Sequence, residues 1–400
     1  MSTMKFDLRS KLIILSAYHP RDARSTHLKF YWSPIKELTW IKMEVVTVDL
    51  RSDTLSLPTA DMRCAMAEAE LGDDVYGEDP TVNRLQMLAA ELFGKEDALF
   101  VPTGTMGNLI SVMCHCWQRG SEVLLGDQSH IHRFEQGGIA QLAGVHPKTI
   151  RNLPDGTFQL SELQAKYQTS ADVHFASTSL ICVENPIEGK VLPLNFMVQL
   201  RSVADELKLP IHLDGARVIN AAIALGVPPK LITKYADTAN ICLSKGLCAP
   251  VGSVIVGSKQ FITKAKRVRK LLGGGMRQAG VLAAAGIISL NVISKKLHLD
   301  HDNAKHFAQT ILSLAPDLVE VNLKHVTTNI AMFQLKNAMP TKNGRTVAQE
   351  FVWRMENTSD GSKTRVKMCA FGDVTVRAVF YHQISKLDVQ KALEKFELVA

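Results

Sequence analysis

The 400-residue sequence contains no long, unbroken hydrophobic run. Its longest apolar stretch, residues 279–293, is interrupted by glycine and by Asn291 and falls short of the roughly 20 residues that a membrane-spanning helix requires. We therefore interpret this stretch as a buried helix and expect no membrane partner. No G-x-G-x-x-G motif follows a predicted strand, which disfavours a dinucleotide-binding oxidoreductase.

The sequence has little excess charge once its first 46 residues are set aside. The formal net charge is +7, and residues 1–46 supply +4 of it through eight Lys or Arg against four Asp or Glu. The remainder is only mildly basic, so the charge gives no reason to expect a nucleic-acid partner.

Cysteine does not form a recognisable framework. The seven cysteines are odd in number and lie in or beside apolar runs, which fits a reducing compartment better than a set of disulfides. Cys114 and Cys116 flank His115, but no second ligand pair follows at zinc spacing. We therefore predict no metal site.

The length and the 46% hydrophobic content indicate a protein of two or three domains. Residues 1–46 lack a sustained period, and we predict an N-terminal extension or targeting segment there. The apolar core at 12–15 is too short for a secretory signal, so we expect a cytoplasmic location, with a mitochondrial one as the alternative. Alternating strand and helix patterns predict a large α/β domain over 47–295, and a mixed pattern predicts a small α+β domain over 296–400.

Between residues 209 and 253, an acid and a lysine each follow an apolar run. Residues 209–213 precede Asp214, and residues 239–243 precede Ser244 and Lys245. If both runs are strands of an open α/β sheet, these side chains lie at the edge where ligands bind. A lysine that forms a Schiff base and an acid that pairs with a pyridine nitrogen are what pyridoxal phosphate chemistry requires. Chance placement of two common residues is the alternative.

A candidate phosphate site follows an earlier predicted strand. The strand at 98–101 leads through Gly104 and Thr105 into an amphipathic helix. The first turn of such a helix presents free N–H groups and a positive dipole end to an anion. An ordinary capped helix explains the same residues equally well.

Three other features are candidates for a ligand site. His130 follows a predicted strand, where an imidazole could stack on a heteroaromatic ring or move protons, although a lone His more often does neither. Three glycines at 273–275 precede Arg277, which can meet a phosphate. The acidic loop 72–80 contains Tyr76 and is either a solvated turn or part of a pocket on a neighbouring subunit.

Seven motifs in the same order resemble those of the low-specificity L-threonine aldolases, which are aspartate-aminotransferase-like (fold type I) pyridoxal phosphate enzymes. The match is specific over residues 46–301 and weakens towards the C-terminus. It implies an α/β fold with a large domain on a mostly parallel seven-stranded sheet and a small C-terminal α+β domain. The motifs are Asp-Leu-Arg-Ser-Asp-Thr at 49–54, Gly-Asp-Asp-Val-Tyr-Gly-Glu-Asp-Pro at 72–80, Gly-Asp-Gln-Ser-His-Ile at 126–131, His-Leu-Asp-Gly-Ala-Arg at 212–217, Leu-Ser-Lys-Gly at 243–246, Ala-Pro-Val-Gly-Ser at 249–253 and Gly-Gly-Gly-Met-Arg-Gln-Ala-Gly at 273–280.

The resemblance implies pyridoxal 5'-phosphate as the cofactor and a role for each of ten residues. Lys245 would carry the Schiff base, Asp214 would hold the pyridinium and His130 would stack on the ring. Arg277 would bind phosphate, reaching across a dimer. The implied catalytic residues are Lys245, His130 and Asp214; the cofactor-binding residues are Lys245, Gly104, Thr105, His130, Asp214, Arg217, Ser244 and Arg277; the residues that grip the substrate carboxylate are Ser52, Arg217 and Arg377.

The implied reaction is the cleavage of L-threonine or L-allo-threonine to glycine and acetaldehyde. The implied assembly is a homodimer or homotetramer with shared active sites. A related β-eliminating lyase, and a homologue that binds the cofactor with reduced or lost turnover, remain the alternatives.

Two departures from the family's pattern bear on these expectations. After Glu184 and Asn185 the family has Thr-His-Asn, whereas this chain has Pro186, Ile187 and Glu188, so the His that would contact the substrate hydroxyl is absent. The family also has Gly where Cys248 stands. If that position needs a positive φ, Cys248 strains its loop by about 1–3 kcal/mol.

Overall fold

The computed structural model describes residues 45–169, 171–336, 342–361 and 363–400. Residues 44–400 form one compact unit. The predicted extension at 1–46 lies almost entirely outside the described residues, and its role stays a prediction.

Strands and helices alternate along the first two thirds of the described chain. The strands are β1 (Val46–Asp49), β2 (Asp97–Val101), β3 (Ser121–Gly126), β4 (His146–Ile150), β5 (Ser177–Glu184), β6 (Ile211–Asp214), β7 (Thr238–Cys242), β8 (Ser253–Gly257), β9 (Val319–Glu320), β10 (Ile330–Leu335), β11 (Thr364–Lys367), β12 (Cys369–Ala370) and β13 (Thr375–Val379). The helices are α1 (Ala60–Ala67), α2 (Pro80–Phe93), α3 (Gly104–His115), α4 (His130–Arg133), α5 (Gly138–Gln141), α6 (Leu160–Lys166), α7 (Leu194–Glu206), α8 (Val218–Leu225), α9 (Lys230–Thr233), α10 (Lys259–Leu271), α11 (Gly280–Asn291), α12 (Leu297–Leu314), α13 (Val347–Glu356) and α14 (Lys386–Val399).

A seven-stranded sheet in the order β2-β8-β7-β6-β5-β3-β4 forms the centre of the molecule. All neighbours are parallel except β8, which is antiparallel to both β2 and β7. Helices cover both faces, so strands such as β3, β7 and β8 are buried at every residue. The predicted α/β architecture with a mostly parallel seven-stranded sheet is confirmed.

Side chains of β2 alternate between two hydrophobic cores, as the period of two along a strand requires. Ala98 and Phe100 join the large core that also contains Leu85 of α2. Leu99 joins a smaller core on the other face with Ile110 of α3. The sheet is therefore held between two helical layers, and its strand ends are left as the place where polar side chains can gather.

Another hydrophobic core, separate from the two that flank the central sheet, holds the C-terminal residues together. The antiparallel sheet β12-β13-β10-β9 contributes to it, and so do Val48 and Leu50 from the start of the described chain. Strand β1 pairs in parallel with β11 rather than with the central sheet. The boundaries at 47–295 and 296–400 stay a prediction, with β1 packed among the C-terminal elements.

The sequence predicts strands at 366–370 and 374–381 that form a hairpin around residues 371–373. The hairpin is present, but the first of these strands is divided. Strands β12 and β13 pair antiparallel, and the Phe371 N–H donates to the Thr375 carbonyl oxygen at 2.7 Å. Val366, which we predicted in the same strand as Ala370, belongs to β11 and pairs with β1. A continuous apolar pattern cannot reveal that a strand changes its partner.

The helical run Gly280–Leu314 is long and apolar enough for a membrane span by length and composition, and half of its most apolar window is buried inside the protein. Its first part, α11, packs on α1 and α2. A Cβ on Gly286 would meet Leu85 and Leu243, so this glycine permits the close approach of α11 to the core. The predicted buried helix at 279–293 is therefore a helix packed inside the protein.

Candidate active site

A cavity of about 160 Å³ opens at the carboxyl ends of the central strands. Strands β6 and β7 are neighbours, so the residues that end or follow them meet at this edge. The cavity is lined by six residues that the sequence predicted for one site: Gly104, Thr105, His130, Asp214, Ser244 and Lys245.

Asp214 is the buried acid of the cavity, with 3% of its surface exposed. Its Oδ2 accepts a hydrogen bond from Asn108 Nδ2 at 2.9 Å, and its Oδ1 accepts one from the Ala216 N–H at 3.2 Å. Both carboxylate oxygens therefore act as acceptors. The residue is therefore suited to pair with a cationic nitrogen.

His130 begins the short helix α4 after β3. Its Nδ1 lies 2.9 Å from Glu135 Oε1, and its backbone N–H donates to Glu184 Oε2 at 2.7 Å. The hydrogen bond to Glu135 raises the pKa of His130 against the opposing effect of burial. Both ends of this residue are thus fixed by carboxyl groups.

Two carboxyl groups, Asp214 and Glu135, line the cavity, and a third, Glu184, lies beside them; the sequence predicted only Asp214. Burial, with the neighbouring Asp214, raises the pKa of Glu135 and raises that of Glu184 to about 8. Glu184 stands at the end of β5, directly beside Asp214 in the sheet register. Its position at a strand end was visible in the sequence. Glu135 gave no such signal, because a helical turn brings it back to His130.

The start of α3 forms the opposite wall of the cavity. Thr103 caps the helix, and its Oγ1 accepts the Met106 N–H at 3.1 Å. The N–H groups of Gly104 and Thr105 lie in the first turn, where a helix offers no acceptor. Asn240 Nδ2 donates to the Gly104 carbonyl oxygen at 2.8 Å, which fixes this turn on β7.

The three residues predicted to grip a carboxylate surround one short segment. Arg377 Nη2 donates to the Arg51 carbonyl oxygen at 3.2 Å, Ser52 follows, and Arg217 pairs with Asp53. Arg217 Nε donates a hydrogen bond to Asp53 Oδ2 at 2.7 Å, and Arg217 Nη2 donates one to Asp53 Oδ1 at 2.6 Å. In this conformation one bidentate face of Arg217, formed by Nε and Nη2, is committed to Asp53, which the sequence did not predict as a site residue. Nη1 and the second N–H of Nη2 remain for a substrate carboxylate.

Arg277 does not line this cavity. Its side chain is half exposed, its Nη1 lies 2.9 Å from Asp73 Oδ2, and its guanidinium lies 5.9 Å from the centre of the Tyr76 ring. Tyr76 is itself 75% exposed. Arg277, Asp73 and Tyr76 therefore form a surface feature of this chain, whereas Asp74 and Asp79 of the same loop are buried.

Both departures from the family's pattern have a structural consequence. Cys248 has φ +65°, so the condition for backbone strain is met, and its side chain is fully buried. The segment that follows Asn185 lacks the family's His, and its Ile187 is 3% exposed and belongs to the large core. This segment therefore offers an apolar contact and no imidazole.

The donor set of the cavity fits pyridoxal 5'-phosphate. It offers an amine at Lys245, an acid for a ring nitrogen at Asp214, an imidazole at His130 and the N-terminus of a twelve-residue helix for a phosphate. These are the complementary groups for an aldehyde, a pyridine ring and an anion.

The fold and this cavity define a class of protein. The family model for "Beta-eliminating lyase" matches residues 49–338, and the chain belongs to that family. It is 45% identical over 359 residues to low-specificity L-threonine aldolase 1 of Arabidopsis thaliana, covering 89% of this chain and 97% of the relative. It is 47% identical over 272 residues to the low specificity L-threonine aldolase of Escherichia coli K12, covering 68% and 81%. Within the lyases, the chain therefore belongs to the low-specificity L-threonine aldolases, as the motifs indicated.

Solved structures agree on the fold. A Leishmania major threonine aldolase has a TM-score of 0.70 at 17% identity and covers 88% of this chain and 99% of its own. Sphingomonas wittichii serine palmitoyltransferase has a TM-score of 0.67 at 14% identity, covering 88% and 87%. An SPT structure with a TM-score of 0.66 at 15% identity, covering 88% and 87%, contains PLP. The predicted fold type I architecture is confirmed.

Proposed function

We propose that this protein is a pyridoxal 5'-phosphate-dependent aldolase that cleaves L-threonine and L-allo-threonine to glycine and acetaldehyde. The observation that carries the proposal is that Lys245, Asp214 and the first turn of α3 line one cavity. The names of the relatives support the choice of substrate.

When bound, the cofactor supplies an electron sink for the bond that breaks at Cα. Lys245 would hold the cofactor through its amine, and Asp214 would hold the ring nitrogen. The N–H groups of Gly104 and Thr105 bind the phosphate. Nη1 of Arg217, with Ser52 and Arg377, turns the substrate through its carboxylate, and this orientation decides which bond breaks.

A base must remove the proton of the substrate β-hydroxyl group. Ile187 cannot do so, and of the groups that line the cavity we assign this role to His130. Glu135 holds His130 Nδ1 at 2.9 Å, which leaves Nε2 as the nitrogen that accepts the proton.

The test is to follow acetaldehyde and glycine from L-threonine and L-allo-threonine with added pyridoxal 5'-phosphate. We expect both products, and we expect Lys245→Ala to lose activity at least about a thousandfold together with the visible absorption of bound cofactor. Lys95→Ala is the matched control, because Lys95 donates to the Ala236 carbonyl oxygen at the amino ends of the strands. Release of 2-oxobutanoate and ammonia from the same substrates would instead identify a β-eliminating lyase.

The absence of the family's His from the loop 186–190 favours a second candidate, a homologue that binds the cofactor with little turnover. In that case the purified protein would hold the cofactor through Lys245, as the Lys245→Ala spectrum reports, and release no glycine from either substrate. The two candidates are thus separated by the same samples.

We also propose a homo-oligomer in which Arg277 serves the active site of a neighbouring subunit. Its exposed position beside Tyr76, away from the cavity of its own chain, supports this arrangement. Co-refolding Lys245→Ala chains with Arg277→Ala chains tests it. If Arg277 acts between subunits, a mixed dimer contains one intact site and regains activity. If it acts within its own chain, the mixture stays inactive.

A further inference from the structure

A layer of buried polar side chains lies between α3 and the central sheet, beneath the cavity. Asn108 and His115 stand seven residues apart on one face of α3, while β6 contributes His212 and Asp214 on one face of the sheet. Thr238 of β7 lies beside His212 in the sheet register. Asn108, His212 and Thr238 are each at most 2% exposed, so their hydrogen bonds must be satisfied within this layer.

The layer forms one continuous chain of hydrogen bonds that ends at Asp214. His115 Nε2 lies 3.0 Å from Thr238 Oγ1, which lies 2.9 Å from His212 Nδ1. His212 Nε2 lies 3.1 Å from Asn108 Oδ1. Asn108 Nδ2 then donates to Asp214 Oδ2 at 2.9 Å and to Glu135 Oε1 at 2.8 Å.

The direction of these bonds follows from Asn240. Its Nδ2 donates to the Gly104 carbonyl oxygen, which can only accept, and to Asn108 Oδ1 at 3.0 Å. Asn108 Oδ1 therefore accepts, so the amide nitrogen of Asn108 is the atom that faces Asp214 and Glu135, and His212 carries its proton on Nε2.

The rest of the chain follows the same direction. Burial lowers the pKa of His212 to about 3, so this imidazole is neutral and its Nδ1 accepts from the Thr238 hydroxyl. Because the Thr238 hydroxyl donates to His212, its oxygen accepts from His115 Nε2, which therefore carries the proton of that ring. Burial also lowers the pKa of His115, to about 4, so this imidazole is neutral as well. Every N–H or O–H bond in the chain points towards Asp214, and neither histidine brings a positive charge.

We propose that Asn108 is a positioning residue that keeps Asp214 an ionised, accepting carboxylate and thereby holds the proton on the cofactor's ring nitrogen. Its single NH2 group binds Asp214 and Glu135 together, which prevents the two carboxyl groups from sharing a proton. This inference rests on the proposed use of pyridoxal 5'-phosphate. It concerns the protonation of the bound ring, so it can be measured without turnover.

Asn108→Asp is the sharpest variant, because it preserves the shape of the side chain and turns its donor into an acceptor. Three carboxyl groups would then meet, and the proton of the ring would move to them. Thr238→Val is a milder variant. It removes the donor to His212 Nδ1, and His212 lies between Thr238 and Asn108 in the series of hydrogen bonds. Ser111→Ala is the matched control, since Ser111 is buried in α3 and its hydroxyl donates to the Gly107 carbonyl oxygen of the same helix.

The readouts are the dissociation constant of pyridoxal 5'-phosphate and the 15N chemical shift of ring-labelled cofactor bound to each protein. We expect Asn108→Asp to weaken binding about 10- to 100-fold at neutral pH, with recovery as the pH falls, and to move the shift towards that of neutral pyridine. Thr238→Val should weaken cofactor binding about two- to fivefold and move the 15N shift in the same direction as Asn108→Asp does. Ser111→Ala should change neither.

A purely structural role for Asn108 would lower the unfolding temperature while the 15N shift of the bound cofactor stayed at its wild-type value, and that result would overturn the inference. If Asn108→Asp fails to fold, an unchanged shift in Thr238→Val overturns it equally. A wild-type protein that binds the cofactor but cleaves neither substrate would contradict the proposed aldolase activity alone. A wild-type protein that does not bind the cofactor would overturn both.

Discussion

Asp53 and Arg217 form a bidentate ion pair, with Nε 2.7 Å from Oδ2 and Nη2 2.6 Å from Oδ1. Asp53 is fully buried and also accepts from Asn329 Nδ2 at 3.1 Å. Burial alone would raise the pKa of Asp53, but the Arg217 guanidinium lowers it to about 2. The pair is therefore ionised at every pH at which an enzyme works, and it sets the orientation of Arg217 before any substrate arrives.

Asp53→Asn should raise KM for L-threonine about 10- to 100-fold with a smaller change in kcat, because Arg217 would lose the partner that orients it. Removing one member of a buried pair should also cost about 3–5 kcal/mol of unfolding free energy. Steady-state kinetics and urea unfolding measure the two effects.

Glu350→Gln is the control for that experiment. Glu350 is 1% exposed, binds Arg345 and Arg354, and lies in α13, whose Ala348 and Phe351 belong to the C-terminal core. It should lose comparable stability and keep the wild-type KM. An unchanged KM in Asp53→Asn would show that Arg217 needs no such partner.

Glu184 should make the protein without cofactor less stable as the pH rises from about 5 to 8. Its pKa is raised from 4.5 to about 8 in the folded protein by burial and by Asp214, so the folded state holds a proton that the unfolded state releases. The stabilising contribution of Glu184 is fully present below its pKa in the unfolded protein, and it is lost as the pH rises through its pKa in the folded protein. Each pH unit costs up to about 1.4 kcal/mol in that window.

Urea midpoints between pH 5 and 9 test this slope. Glu184→Gln should flatten it, whereas Glu184→Asp, which keeps a titrating group, should retain most of it. The other charged groups that act on Glu184 are His130, Lys245 and Arg217, all of which are preserved in both variants. Equal slopes in wild type and Glu184→Gln would assign the proton to another group.

Position 248 should prefer glycine to alanine. At ordinary backbone angles alanine is more stabilising by about 0.5–1 kcal/mol, but at φ +65° a Cβ costs about 1–2 kcal/mol. We expect Cys248→Gly to unfold at higher urea concentration than Cys248→Ala, since both variants lose the same thiol. The reverse order would mean that the loop relaxes around a side chain.

Ile187→His should lose stability by about 2–4 kcal/mol and gain no aldolase activity. Ile187 packs in the large core, where a Cβ on Gly156 would meet its side chain, so an imidazole there would be buried without a partner. Urea unfolding and acetaldehyde release measure the two effects, with Ile187→Leu as the apolar control. A gain in kcat would show that this loop can turn the residue towards the cavity.

Much of the site could be predicted because its residues occupy strand ends and helix starts, which local patterns reveal. Asp214, Lys245 and Gly104 each follow an apolar run, and parallel strands bring such ends to one edge. Asn108 and Glu135 could not be predicted in this way. Asn108 lies in a helix interior and Glu135 after a short helix, and only the packing of α3 and α4 on the sheet brings them to Asp214.

The amino-acid sequence by itself determined the α/β architecture, the family and the residues that a pyridoxal phosphate site needs, because these depend on periodicity and on short motifs. The tertiary structure decided how charges are held at that site. It committed Arg217 to Asp53, turned Ile187 into the core, gave Cys248 a left-handed backbone and aligned a buried hydrogen-bond chain on Asp214. Each of these depends on contacts between residues far apart in the chain, and a burial or a hydrogen-bond direction exists only once those residues have packed together.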